Sequence, residues 1–315
     1  MLANVHEVRD ALRARGDEAE LVPVRLHDFR WLARCRKADL VYNLCEGING
    51  HARYEDAVVH ALELAGVPFT GCRAWPIVVC HRKHVANTLL AAHGIPVPGC
   101  YLAGANKLPA DVPLPAIVKP NAEDASVGID GGAVCSTRRA LRQRVAQMLE
   151  QFEEVIVQRY VAGREVNVGF VGREVLPISE ISFEKLPEGQ WPIVTYAAKW
   201  VPGSPDDLGT EPQCPARLPA DVQRRAVAVA RQAWEHLCGA EGYGRVDMRI
   251  DDDGQPWVIE VNPCPDLSSD AGLARMARAR GWAYEELVCR IADEALARSR
   301  QQRAAAQLTT GQVPA

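Results

Sequence analysis

Several common signatures are missing from this 315-residue chain, and each absence removes a class of function. No apolar run approaches the roughly 20 residues that a membrane-crossing helix needs. The N-terminus lacks the basic-then-apolar order of a signal peptide. The ten cysteines stand singly, with no CxxC pair, so neither a zinc ribbon nor a thioredoxin-type site is indicated. Reduced, mostly buried thiols and a cytoplasmic location are expected instead. A net charge of −4 leaves no electrostatic footprint for nucleic acid or a membrane surface. No GxxxxGK[ST] loop is found, nor a GxGxxG after a strand, so the common phosphate cradles at helix N-termini are absent. What remains is an ordinary globular composition, 48% hydrophobic and 24% charged, long enough for two or three domains.

What is present centres on two strands near the C-terminus. Gly244–Ile250 and Pro256–Pro263 flank Asp251-Asp252-Asp253-Gly254, a turn sequence, and together predict a β-hairpin. Alternation puts Arg245, Asp247 and Arg249 on one face of the first strand, and Glu260 and Asn262 on one face of the second. Asp247 can then lie beside Glu260 and Asn262, three hard oxygen donors suited to Mg²⁺. Alone, such a face could equally be solvated polar surface.

The rest of the chain supplies context. Helices over 1–15, 27–37 and 55–65 alternate with strands over 20–24, 39–44 and 67–69, predicting a parallel sheet. This sheet lacks the strand and glycine-rich turn with which such a domain normally opens. A helix over 83–93 and strands over 115–120, 132–135 and 154–161 follow, with a helix over 137–151 and a small-residue loop over 121–128. Further strands fall at 164–171 and 174–178. Residues 191–215, rich in proline, read as a long functional loop. A helix over 219–237, a helix ending at Arg280 and a last helix over 284–298 complete the chain, with a tail predicted to be disordered. Lys83 and Lys119, on separate elements, offer two point charges for phosphate. His81 and His84 read as solvated, and Trp75, Trp234 and Trp257 as core.

With these pieces in order, the chain resembles the ATP-grasp superfamily, and within it the D-alanine–D-alanine ligase-like branch. The resemblance rests on Gly66–Gly71, Arg82-Lys83, Leu89–Pro98, Val118-Lys119-Pro120 with Ser126-Val127-Gly128, Gly163–Val166, Gly244–Asp247 and Glu260–Pro263. It implies an α/β and α+β fold: an N-terminal parallel α/β domain (1–76, without the family's first strand), a central α+β subdomain (77–161), a C-terminal α+β subdomain with an antiparallel sheet (162–299), and a disordered tail (300–315). ATP would lie between two sheets. Lys83 and Lys119 would bind its phosphates, and Gln158, Arg159, Tyr160 and Val161 would surround adenine. Glu165 would hold the ribose hydroxyls. Asp247, Glu260 and Asn262 would carry two Mg²⁺, with Mn²⁺ an admissible substitute. The loop over 121–128, with Ser126, would close over the phosphates, and the loop around Lys199 over the second substrate. The implied reaction turns a carboxylate into an acyl phosphate that an amine attacks, with Arg245 stabilising the oxyanion. Small-molecule substrates, an amino acid or small peptide, are implied, and a homodimer through the N-terminal domain.

The departures from the family cluster where the acceptor would bind. Ala125 replaces the first of two serines before Val-Gly, and Trp200 stands where the family has a tyrosine. The glutamate that completes this Ser–Tyr–Glu set has no counterpart here. Glu46-Gly47 replaces His-Gly, and the turn Cys264–Gly272 replaces a small-residue turn, with Ala271 at a serine position. Glu46, Asp266 and Ser268 are therefore the candidate acceptor residues. Two acidic groups there favour an amino-bearing or cationic substrate. The alternative for Asp266 is a helix N-cap or an Asx turn, and for Glu46 a pair with Arg53. The expectation is a carboxylate–amine ligase with its own acceptor. The alternatives are D-alanine–D-alanine ligase itself, a phosphotransferase, or a degenerate ATP-binding protein.

Overall fold

A computed structural model describes residues 2–104, 109 and 111–310. The chain begins with α1 (Leu2–Arg15), α2 (Arg30–Cys35), α3 (Glu55–Leu64), α4 (Ala74–His81) and α5 (Lys83–Ala92). The predicted parallel sheet is here reduced to one parallel bridge, Val41 with Phe69, held by Val41 N–H donating to Pro68 O and Thr70 N–H donating to Val41 O. The segment 20–24 joins no parallel ladder among the described residues. Parallel strands are stable when flanked and covered on both faces, and here packing holds the segments: Val67 and Phe69 bury against Val58, Val59 and Leu62 of α3.

The central subdomain holds β1 (Cys100–Ala103), β2 (Ala116–Pro120), β3 (Val134–Cys135), α6 (Arg138–Leu149) and β4 (Val155–Arg159), with sheet order β1-β4-β2-β3. Helix α6 starts at Thr137, whose hydroxyl accepts from Ala140 N–H. Its Leu141, Val145 and Met148 bury against Val118, Val155 and Val157. The register pairs Ile117 with Gln158 and Lys119 with Ile156, so Lys119 and Gln158 share the opposite face.

The C-terminal subdomain holds β5 (Arg164–Val171), β6 (Glu174–Val175), β7 (Ser179–Ser182), α7 (Tyr196–Trp200), α8 (Pro205–Gly209), β8 (Glu211–Gln213), α9 (Ala220–Cys238), β9 (Tyr243–Ile250), β10 (Pro256–Asn262), α10 (Gly272–Arg280) and α11 (Tyr284–Thr310). Its antiparallel sheet runs β10-β9-β5-β7-β8. Val166, Val168, Val246 and Met248 are fully buried against Ala226, Ala230, Ala233 and Trp234 of α9. The other face therefore carries the polar set Glu165, Asn167, Arg245, Asp247 and Arg249.

The hairpin forms as predicted, with one difference that matters. Pro256 pairs with Ile250 and Val258 with Met248, but Glu260 pairs with Asp247 and Asn262 with Arg245. A β-bulge at Ile259 absorbs one residue. Without it Ile259 would oppose Asp247, and Glu260 would point into the core.

Sequence periodicity missed α4, β1 and β7. The expected loop over 191–215 contains two one-turn helices and an edge strand. The last helix continues to Thr310, so most of the expected tail is helical; residues 311–315 lie outside those described. Trp234 is core as expected, but Trp75 is exposed and Trp257 is partly covered by the Arg159 guanidinium, 4.4 Å from its ring.

The two sheets meet at Gly163, whose φ is +122°. A Cβ there would overlap the Ile250 carbonyl oxygen, a backbone atom that cannot step aside. Gly163→Ala is expected to cost about 3 kcal/mol or more, measured by urea unfolding, whereas Gly131→Ala, in open space, should be close to neutral.

Candidate active site

The polar faces of the two sheets enclose a set of opposed charges. From the C-terminal sheet, Asp247 takes a bidentate ion pair from Arg245, Nε to Oδ1 at 2.6 Å and Nη2 to Oδ2 at 2.8 Å. Asn167 Nδ2 donates to the same Oδ1 at 2.7 Å. Asn167 faces Asp247 across β5–β9. It was not among the expected site residues, although it stands two residues from Glu165 on one strand face, and alternation could have found it.

Glu260, opposite Asp247, pairs with Lys83 Nζ at 2.8 Å. Burial disfavours the Glu260 carboxylate, but Lys83 and Lys119 overcome this and hold its pKa well below the usual range. Lys83 is 5% exposed and is also met by Asp124 Oδ1 at 3.0 Å and the Glu123 carbonyl at 2.6 Å. Burial alone would lower its pKa; Glu260 and Asp124 reverse the effect and raise it. Asn262 Oδ1 accepts from Cys264 N–H at 3.1 Å.

Lys119 differs. It is 6% exposed, yet its ammonium makes no hydrogen bond or ion pair among the described residues. Burial lowers its pKa, and Lys83 adds to this while Glu260 opposes it. A buried cation without a bonding partner destabilises a fold unless a ligand completes it. Lys119→Met is thus expected to stabilise the free protein by roughly 1–3 kcal/mol while weakening nucleotide binding. Thermal melts with and without nucleotide would check both halves.

At the junction of the subdomains, Arg249 is 3% exposed and uses all its N–H groups. It donates to Val161 O, Glu165 Oε2, Pro192 O, Tyr160 Oη and Gly163 O at 2.8–3.1 Å. Arg249 was visible as part of a polar strand face, but these partners lie far away in sequence and gave no signal. The Val161 carbonyl, expected near adenine, is thus already bonded. Glu165 keeps Oε1 without a hydrogen bond among the described residues; burial raises its pKa and Arg249 opposes this. Gln158 is buried with Nε2 donating to Asn87 Oδ1 at 3.0 Å. The Arg159 side chain turns to the other face of its strand, over Trp257.

The two expected mobile segments are tied together. Ser126 Oγ donates to Val194 O at 2.9 Å, and Trp200 Nε1 to Ala125 O at 3.0 Å. Ala125 and Ser126 both have positive φ, 54° and 61°. Lys199 lies on α7 without a hydrogen bond or ion pair among the described residues. The protein around it, and then Arg245, lower its pKa, with Glu260 and Asp247 opposing.

The acceptor candidates lie apart from this cluster, past the end of β10. Glu46, Cys45, Asn43 and Asn4 face Cys264, Pro265 and Leu267 across a small cavity. Asp266 Oδ1 accepts from Ser268 N–H (2.9 Å), Ser268 Oγ (2.7 Å) and Asn4 Nδ2 (3.3 Å), so the Asx turn forms, and Oδ2 has no hydrogen bond among the described residues. Glu46 does not pair with Arg53, which packs on Tyr54 instead. Burial, then Asp266 and Glu55, raise the Glu46 pKa. His81 is not solvated: its Nε2 lies 3.0 Å from Glu55 and 3.5 Å from Asp124.

Residues 103–293, more than half of the chain, match the family profile described as D-ala D-ala ligase C-terminus. The chain belongs to the D-alanine–D-alanine ligase family. It is 31% identical to the D-alanine–D-alanine ligase of Bordetella avium over 93% of this chain and 88% of that one. It is 32% identical to that of Synechococcus sp. (strain JA-3-3Ab) over 92% and 85%. The fold matches the crystal structure of D-alanine–D-alanine ligase from Bacillus anthracis complexed with ATP, with a TM-score of 0.73 at 22% identity over 95% and 94% of the two chains. The protein is therefore an ATP-grasp enzyme, an ATP-dependent carboxylate–amine ligase that forms C–N bonds and acts on small molecules. Its donor set fits the ATP and divalent cation that the family uses. Asp247, Glu260 and Asn262 offer oxygen ligands, and Lys119 is a buried residue whose ammonium has no hydrogen bond or ion pair among the described residues. No helix among the described residues is long and apolar enough to cross a membrane.

Proposed function

We propose that this ligase joins an amino acid or small peptide to an amine acceptor other than D-alanine, in the cytoplasm, through an acyl phosphate. The observation that carries this reading is the acidic wall at the acceptor end. Glu46 lies close enough to Asp266 and Glu55 for their charges to raise its pKa. Such a wall repels an acceptor's carboxylate and attracts an amino group. Trp200, hydrogen-bonded to the Ala125 carbonyl, occupies the place where the family uses a hydroxyl network.

In this reading Lys83 and Lys119 hold phosphates, and Gln158 with the Tyr160–Val161 backbone lines the adenine. Glu165 presents its unbonded oxygen to the ribose. Asp247, Glu260 and Asn262 hold two Mg²⁺, and the metal–nucleotide pair supplies the phosphoryl group and charge neutralisation. Arg245 and Lys83 now neutralise Asp247 and Glu260. With those carboxylates engaged by bound cations, Lys83 would face the phosphates and Arg245 would stabilise the oxyanion of the attacked acyl group. Ser126 and Lys199 sit on the two tied segments that cover the reactants.

A second reading, D-alanine–D-alanine ligation, is favoured by the names of the relatives. A panel of amino acids and amines, scored for ADP and phosphate with product masses, separates the two. Turnover with diamines, basic amino acids or peptides supports the proposal, and D-alanine-dependent turnover above all others overturns it. ADP with a stable phosphorylated product would mark a phosphotransferase.

A further inference from the structure

A line of alternating charge crosses the molecule from the N-terminal domain to the metal strand. Glu55 on α3 is 5% exposed and pairs with His81 at the end of α4. The same His81 nitrogen lies 3.5 Å from Asp124 Oδ2, on the loop over 121–128. The other oxygen of Asp124 is 3.0 Å from Lys83, which reaches Glu260. Asp124 thus has two cationic seats, one oxygen on each. Lys83 is the seat that a nucleotide phosphate would need, and an aspartate on it excludes the phosphate by competition and by charge.

We propose that Asp124 occupies Lys83 in place of phosphate in the nucleotide-free enzyme, and that His81 is the positioning residue that receives Asp124 when nucleotide binds. This rests on the ATP-dependent reading of the same site. Glu55 holds the imidazole where it can accept the displaced carboxylate. The exchange conserves charge pairing: phosphate replaces Asp124 on Lys83, and Asp124 moves wholly onto His81. It needs a protonated His81, because a neutral ring leaves the displaced carboxylate without a partner.

The groups that face His81 are Glu55 from α3, Asp124 from the loop and Lys83 from α5, with the Cys264 thiol beyond Glu55. Burial and Lys83 lower the His81 pKa, but Glu55 and Asp124 prevail and raise it above its ordinary value. The charge is therefore kept to higher pH than on a free imidazole and lost as pH rises through that raised value. Nucleotide affinity should fall over the same interval.

Calorimetric titration of the whole chain with a non-hydrolysable ATP analogue and Mg²⁺, between pH 6 and 9, tests this. His81→Gln should weaken binding about tenfold near pH 6 and converge on the wild type near pH 9. Taking the difference between the two proteins cancels the titration of the phosphates. Asp124→Asn, on an exposed loop, should bind at least as tightly as the wild type and remove the effect of His81→Gln in the double variant. In ¹³C-histidine spectra, the analogue should move the His81 titration upward. An equal cost of His81→Gln with and without Asp124, or a cost independent of pH, overturns the proposal while leaving the ATP site intact. Failure of the wild type to bind the analogue overturns the ATP reading as well.

Discussion

Glu260→Gln should lower kcat/KM by about a thousandfold or more, measured as acceptor-dependent ADP release. Glutamine keeps the shape of the side chain and removes the charge that faces both lysines and, in the proposed complex, the metal. The fold should survive, because Lys83 retains Asp124 and the Glu123 carbonyl. The same variant separates electrostatics from packing in acid. In the wild type the Glu260 pKa is depressed in the folded state. Its ion pairs therefore stabilise the protein fully above the ordinary carboxylate range, about pH 4.3, and this contribution is lost as pH falls toward the folded value. Glu260→Gln should be less stable than the wild type at pH 7, and the gap should narrow on acidification. A gap unchanged by pH would mean that Glu260 acts through packing.

The second large effect falls on Arg249. Arg249→Met removes a guanidinium that bonds three carbonyls, a phenol and a carboxylate. It leaves the half-buried Glu165 with no cation bonded to it. The expected loss is about 3–5 kcal/mol, read from chemical denaturation. Arg249→Lys keeps the charge but cannot spread donors over the same plane, and should restore less than half. Because these partners span both sheets, the variant should also raise the KM for ATP. Loss of activity at unchanged stability would contradict the structural role given to Arg249.

The proposed nucleotide end of the molecule was far more legible than its N-terminal and proposed acceptor ends. Lys83, Lys119, Glu165, Asp247, Glu260 and Asn262 lie on or beside regular elements, where alternation and spacing fix which side chains share a face. The charge chain of Glu55, His81 and Asp124 joins three segments whose separation carries no periodic signal, and a histidine in such a stretch looks solvated. The parallel sheet was overpredicted for a related reason. Apolar runs over 20–24, 39–44 and 67–69 have strand chemistry, but a ladder needs a neighbour at hydrogen-bonding distance, and sequence periodicity does not report neighbours. Asp266 shows a third limit: its Oδ1 closes an Asx turn while its Oδ2 makes no hydrogen bond among the described residues, so the two readings were never exclusive.

Ile259 has the last consequence. Val258 and Val261 are both buried, 1% and 3% exposed, though they stand three positions apart, an odd step along the strand. In a regular pleat one of them would face the ligands. The strand therefore reads in two frames: up to Val258 its pleat is set by the hairpin turn, and from Glu260 onward by the metal face. Deleting Ile259 would merge the two frames: Glu260 would follow Val258 directly, still opposite Asp247, with Asn262 opposite Arg245 and Val261 in the core. The faces would flip only if Ile259 stayed and the bulge were pulled flat into the ladder. Comparing that deletion with Ile259→Ala, which keeps the count, would show how far activity depends on a residue's existence and how far on its side chain.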